Sequence, residues 1–137
     1  MKKNILCIIL CVMLLTACSS KSNEILEGYS HCEEYYSDGF QDYIDYCKYF
    51  YKEGDDHKFG ESNYYSIVTK ENIDDIKSYF DKFPYHSMED SNKYDFETNN
   101  INEGDYYCLK ADLNNDNYSI FLYDVNSHIL YYIHYNI

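Results

Sequence analysis

Tyr118-Ser-Ile-Phe-Leu-Tyr-Asp124, Val125-Asn-Ser127 and His128-Ile-Leu-Tyr-Tyr-Ile-His-Tyr135 follow one another near the C-terminal end of the chain, and their alternation decides the fold. Two runs of β-branched and aromatic residues flank a short polar segment, which is the pattern of a hairpin. A turn at Asp124-Val125-Asn126-Ser127 predicts that residue 122 faces 129, 120 faces 131 and 118 faces 133. Successive side chains of a strand point to opposite sides. Tyr118, Ile120, Leu122, Ile129, Tyr131 and Ile133 therefore share one continuous apolar face. Ser119, Phe121, Tyr123, Leu130, Tyr132 and His134 share the other, which is too apolar to be plainly solvated. A helix from the N-terminal part of the chain is the preferred cover for it, and a partner-binding face is the alternative.

The first face needs a cover too, and residues 73–83 supply one. Ile73, Ile76, Phe80 and Phe83 recur at i, i+3, i+7 and i+10, one stripe of an amphipathic helix. Thr69 or Asn72 is placed to cap it, Asp74 and Asp75 load its first turn, and Pro84 ends it. Strands are further expected at about 45–51, at 64–68 and at 105–110, the first two pairing as a hairpin, with a helix over 40–51 as the open alternative. Ile25, Leu26, Tyr29, Cys32 and Tyr36 recur at helical steps, so residues 24–36 read as a short helix broken by Ser37-Asp38-Gly39. Residues 85–103 are dominated by Ser, Asn, Asp and Glu and read as a long surface loop, the first place to expect binding. The expected class is α+β, an antiparallel sheet of about four to five strands with one or two helices packed against it.

The other end of the chain says where the domain works. Met1-Lys2-Lys3-Asn4 is basic, and Ile5–Leu15 is an apolar run too short to cross a bilayer as a helix. It ends in Leu15-Thr16-Ala17-Cys18. That stretch resembles the bacterial lipobox, which implies cleavage before Cys18, transfer of a diacylglyceryl group to its sulfur, and attachment to the outer face of the cell membrane. The expected organisation is a signal peptide over 1–17, a lipidated cysteine and polar tether over 18–23, and one extracellular domain over 24–137. The C-terminal hairpin, with Ile76-Lys-Ser-Tyr-Phe-Asp-Lys-Phe83, is similar to small uncharacterised exported proteins and lipoproteins of Gram-positive bacteria over roughly residues 43–137. That resemblance implies export and no particular activity.

The formal net charge is −13, and all 11 basic residues are lysine. Loss of Lys2 and Lys3 with the leader makes the remaining chain more acidic still, a surface that repels nucleic acid and anionic headgroups. Without arginine there is no bidentate fork for phosphate. The 19 tyrosines offer apolar area with a polar tip, although Tyr, Asn, Lys, Ile and Phe enriched together are also what an AT-rich coding sequence produces. Of the six cysteines, Cys32, Cys47 and Cys108 remain once the leader is removed and Cys18 is lipidated. Their spacing matches no zinc pattern, and they read either as reduced core thiols or as one disulfide with a thiol left over.

Local motifs are sparse. Asp112, Asn114 and Asp116 stand at the 1, 3 and 5 spacing of a calcium loop, but Asn117 replaces its glycine and Tyr123 its closing glutamate, so a turn is the better reading. His31-x-Glu33 lacks the Pro-Cys-x-x-Cys that would complete a deaminase zinc site. His86 beside Glu89 and Asp90 reads as solvated, and Cys32 or Cys108 with His128 or His134 is a nucleophile and base only in principle. Nothing in these motifs calls for a cofactor or a metal. The expectation is a non-catalytic, membrane-tethered extracellular domain that binds a protein or small ligand. The alternatives are an inhibitor or immunity-type lipoprotein with a basic protein partner, and a small cell-surface hydrolase built on a carboxylate pair or a Cys and His pair.

Overall fold

The computed structural model describes residues 25–37 and 42–137. The expectations for the leader, for Cys18 and its tether, and for the break after Ser37 lie outside those residues. The described chain forms β1 (His31–Tyr35), β2 (Tyr43–Phe50), a one-turn helix α1 (Asp56–Gly60), the short β3 (Ser66–Ile67) and helix α2 (Ile73–Asp81). Three 3-10 turns follow, and then β4 (Tyr106–Ala111), β5 (Tyr118–Asp124) and β6 (Ile129–Asn136). All strand pairs are antiparallel, in the order β1-β2-β6-β5-β4-β3. The α+β class holds, with six strands rather than four to five.

The hairpin forms with its register shifted by two. Asp124 pairs with Ile129, Leu122 with Tyr131, Ile120 with Ile133 and Tyr118 with Tyr135. The Asp124 side chain lengthens the turn, because its carboxylate accepts from the Asn126 amide at 2.9 Å and the Ser127 hydroxyl at 2.7 Å. His128 then closes the turn with φ at +57°, in the left-handed region. A slip of two residues leaves every side chain on its original face, so the facial assignment survives. Ile120, Leu122 and Ile133 are sealed beneath α2, whose Ile76, Phe80 and following Phe83 are buried against them. Asn72 occupies the helix N-cap, but its side chain turns backward: Oδ1 accepts from the Thr69 amide at 2.8 Å and Nδ2 donates to the Ile67 carbonyl at 3.1 Å.

Three other expectations are corrected. The helix expected over 24–36 does not form in its described part, 25–36: Ser30 donates to the Phe50 carbonyl and β1 continues along the sheet edge. Tyr29 and Tyr36 stay exposed while Tyr35 stacks over Tyr46, so the helical spacing never became a buried stripe. β2 and β3 do not pair. β2 is buried along most of its length and lies between β1 and β6, whereas two-residue β3 pairs only with β4 at the far edge. Residues 85–103 are not a free surface loop, because Met88, Phe96 and Ile101 are buried and Phe96 packs on Phe80 at 4.3 Å and Tyr131 at 4.7 Å. That segment is also tied to β2 through Asp95, which accepts from Tyr46 Oη at 2.7 Å and Lys48 Nζ at 2.8 Å. Lys48 Nζ reaches Glu33 at 2.7 Å as well. The second sheet face has its own core around Tyr123, Leu130, Cys47 and Tyr49, and its cover is the turn at 25–28 with Phe59 of α1, not an N-terminal helix.

Candidate functional site

Buried tyrosines in this fold have somewhere to put their hydroxyls. Tyr49 donates to Glu34 at 3.0 Å, Tyr118 to the Tyr79 carbonyl at 2.9 Å and Tyr123 to Asp56 at 2.6 Å, and half-buried Tyr65 donates to the Ile25 carbonyl at 2.9 Å. Tyr51 does not. It is 7% exposed, and its Oη is the one buried side-chain polar atom among the described residues without a hydrogen-bond partner. Such an orphan costs about 1–3 kcal/mol. Its backbone is fixed by donation to the His128 carbonyl at 2.9 Å. Its ring is held edge-on against Phe59 and Tyr123, with centroids 5.0 and 5.7 Å away.

A cavity of about 370 Å³ lies beside it, walled by Ile25, Glu27 and Gly28 on one side and by Lys58, Phe59, Ser62 and Tyr65 on the other. Each wall follows from local sequence. Gly28 turns the chain with φ at +89°, and an added Cβ there would meet Lys58 Nζ at 2.8 Å. Tyr65 clamps the Ile25 carbonyl, so the turn is tied down although it belongs to no element. In α1, Phe59 faces inward and stacks on Tyr123 at 3.7 Å, while Lys58 stays outside and pairs with Asp55 at 2.8 Å. Burial, with smaller pushes from Tyr29 and Asp55, raises the Tyr51 phenol far above its ordinary range, so at neutral pH it is a donor. The walls mix the aromatic and aliphatic surface of Ile25, Tyr51, Phe59 and Tyr65 with the polar Glu27, Lys58 and Ser62, and the cation among them already has an anion.

Two histidines meet aspartates elsewhere. His128 Nδ1 lies 3.1 Å from Asp56 and 3.2 Å from Tyr123 Oη, joining the β5–β6 turn to α1. His134 Nδ1 lies 3.2 Å from Asp45 Oδ2, its ring parallel to Tyr43 at 5.7 Å. Ser119 is the direct cross-strand neighbour of His134, so Asp45, His134 and Ser119 form a row over β2, β6 and β5. The row borders a shallow, open depression lined by Lys110, Asn117, Ser119 and His134.

The residues singled out from the sequence are scattered. Cys18 lies outside the described residues. Asp112 holds a turn: its carboxylate accepts from the amides of Asn114, Asp116 and Asn117. Desolvation opposes its charge, but the amides of Asp116 and Asn117 outweigh it and keep the carboxyl below its usual range. Among the described residues no three His, Cys, Asp or Glu side chains are grouped to hold a metal, and no helix is long and apolar enough to cross a membrane. His31 stacks on Phe50 at 5.4 Å, and His86 lies tilted against Tyr85 at 3.8 Å. Cys32, Cys47 and Cys108 are unpaired, and all three lie on the second sheet face. Burial pushes the Cys47 thiol up to about 12. Sequence reasoning missed the Tyr51 cavity, whose walls come from residues 25–28, 51 and 58–65 with no local motif, and it missed the cross-strand row, which only the register reveals.

Fold and site together define an antiparallel α+β domain with a small aromatic-walled cavity. No family model matches the chain, and no curated protein or solved structure is similar to it.

Proposed function

We propose that this chain is a lipid-anchored extracellular binding domain, held to the membrane through Cys18, with the cavity beside Tyr51 as its ligand site. The carrying observation is that cavity, walled in part by Ile25, Phe59 and Tyr65 and lined by Tyr51, whose buried hydroxyl has no protein partner. Binding sites are concave and mostly apolar, with few polar groups, and this one falls at the small end of the usual range of about 300–1,000 Å³. The Leu15-Thr16-Ala17-Cys18 stretch supports the anchor. Labelled fatty acid fed to an expressing Gram-positive host should be incorporated into the chain, and Cys18→Ala should abolish incorporation and release protein from the membrane fraction. Equal incorporation in the variant removes the anchor. The acidic surface also suits a basic protein partner, whose association would weaken steeply with salt.

A second reading, a cell-surface hydrolase, is favoured by the row of Asp45, His134 and Ser119. Asp45 holds His134 through Nδ1, and Nε2 is the ring nitrogen left to act as base. In that chemistry Ser119 Oγ attacks an ester carbonyl as its proton passes to Nε2, the alcohol leaves with that proton, and water releases the acyl group. A fluorophosphonate probe should label Ser119 and fail on Ser119→Ala. A wild-type chain that stays unlabelled ends this reading.

A further inference from the structure

We propose that the cavity beneath the Ile25–Gly28 turn takes an uncharged, ring-sized organic molecule whose carbonyl or hydroxyl oxygen accepts the hydrogen bond that Tyr51 Oη donates to no protein atom. The proposal rests on reading the chain as a binding domain, and it specifies the ligand.

Three observations set the ligand's chemistry. Tyr51 is 7% exposed, lines the cavity and carries a buried donor with no partner, in a fold whose other buried tyrosine hydroxyls have partners. The ligand must therefore bring an acceptor. The apolar part of the surrounding surface is Ile25, Phe59 and Tyr65, with Ile25 and Phe59 almost fully buried, while Glu27, Lys58 and Ser62 supply the polar part. The rest of the ligand must therefore be an apolar body, and about 370 Å³ holds a single substituted ring more readily than a polymer. Charge excludes the remaining classes. The one cation lining the cavity, Lys58, is paired with Asp55 at 2.8 Å, so an anion finds no free counter-charge in a chain of net charge −13. The carboxylate that lines the cavity, Glu27, is exposed to solvent, where water screens its pull on a cation.

The same residues give the way in. Tyr51 Oη is sealed from solvent in the unliganded fold. The Lys58 arm lies across Gly28 and is fixed by one ion pair at a side chain 41% exposed. A surface ion pair of that kind is weak, so the Lys58 arm can shift as a ligand enters, and contact with Oη requires some such movement of the wall.

The test uses the full chain anchored in nanodiscs, labelled with fluorotyrosine, with empty nanodiscs as the partition blank. Four probes of similar size are titrated: cyclohexanone, an acceptor without a donor; toluene, with neither; benzoate; and benzylamine. Cyclohexanone is expected to shift the Tyr51 and Tyr65 fluorine resonances saturably and to bind most tightly. Tyr51→Phe keeps the ring and should weaken cyclohexanone by about three- to tenfold, the worth of one neutral hydrogen bond, while toluene is unaffected. If none of the four gives a saturable shift, the cavity is not a binding site and the parent reading fails there. If a charged probe or toluene binds as well as cyclohexanone, or if Tyr51→Phe leaves cyclohexanone unchanged, the cavity binds but the assigned ligand class is wrong.

Discussion

Tyr51→Phe should stabilise the unliganded protein, the reverse of the usual effect of deleting a polar atom from a core. The substitution removes Oη alone and keeps the ring that packs edge-on against Phe59 and Tyr123. In the unfolded chain water satisfies the hydroxyl, and in the fold nothing does. Relief of that mismatch is worth about 1–3 kcal/mol. The small void left behind offsets part of it, at about 24 cal/mol per Å³, so the expected net gain is about 1–2 kcal/mol. For a chain of this size that raises the melting midpoint by roughly 3–8 °C. Tyr65→Phe is the internal comparison. Its hydroxyl donates to the Ile25 carbonyl at 2.9 Å, and losing that bond should cost about 0.5–1.5 kcal/mol. Urea unfolding at pH 7, followed by circular dichroism, measures both. The two variants should shift the midpoint in opposite directions at constant slope. A Tyr51→Phe midpoint at or below wild type, with the slope unchanged, would refute the orphan account, because the hydroxyl would then have a partner in solution.

Lys48 predicts an acid-sensitive contact. Its hydrogen bond holds the Glu33 carboxyl below the ordinary range, and against the opposing effect of desolvation Lys48 and Tyr46 do the same to Asp95. A depressed carboxyl stabilises the fold above its unfolded value, near 4, and that stability is lost as pH falls through the folded value. Urea midpoints should therefore drop less between pH 5 and pH 2–3 in Lys48→Met than in wild type, by about 0.5–1 kcal/mol at these partly exposed partners, and parallel pH profiles would argue against the contact. Cys47, with its thiol pushed up to about 12, and buried Cys108 should resist thiol reagents at pH 8 until the protein unfolds, while half-exposed Cys32 reacts first; rapid native labelling of all three counts against the packing. Phe80→Ala, which removes the ring stacked on Phe96, should cost about 3–5 kcal/mol in the same urea assay, and a loss below 1 kcal/mol would mean that α2 is not docked as described.

What was legible in the sequence is what repeats. Alternation in 118–135 and the stripe Ile73, Ile76, Phe80 and Phe83 gave the sheet face and its helix, and even a register wrong by two residues left the face intact. The strand at 43–50 was readable from its β-favouring run. Residues 25–36 misled because five apolar residues fell at helical steps while the unpaired edge of β2 was the stronger attraction, and edge pairing is invisible to local spacing. The segment 85–103 misled because three well-placed anchors, Met88, Phe96 and Ile101, suffice to bury a polar stretch. The cavity was illegible for a related reason: its walls come from three separate segments, and what sets Tyr51 apart is a hydroxyl both buried and without a partner, a property of the folded state alone.

The strand order carries a consequence for the timing of assembly. β6 sits between β2 and β5 and pairs with both along its length, Tyr43 lying opposite Asn136 at one end. The sheet is therefore two incomplete halves until residues 129–136 arrive, and contacts so distant along the chain form slowly. A chain threading outward from its N-terminus keeps both halves open, with Tyr46 and Ile120 still wet, while its last strand is held behind. If the chain is exported as proposed, residues 129–136 must clear the membrane before the two halves can join, so the sheet closes only on the far side.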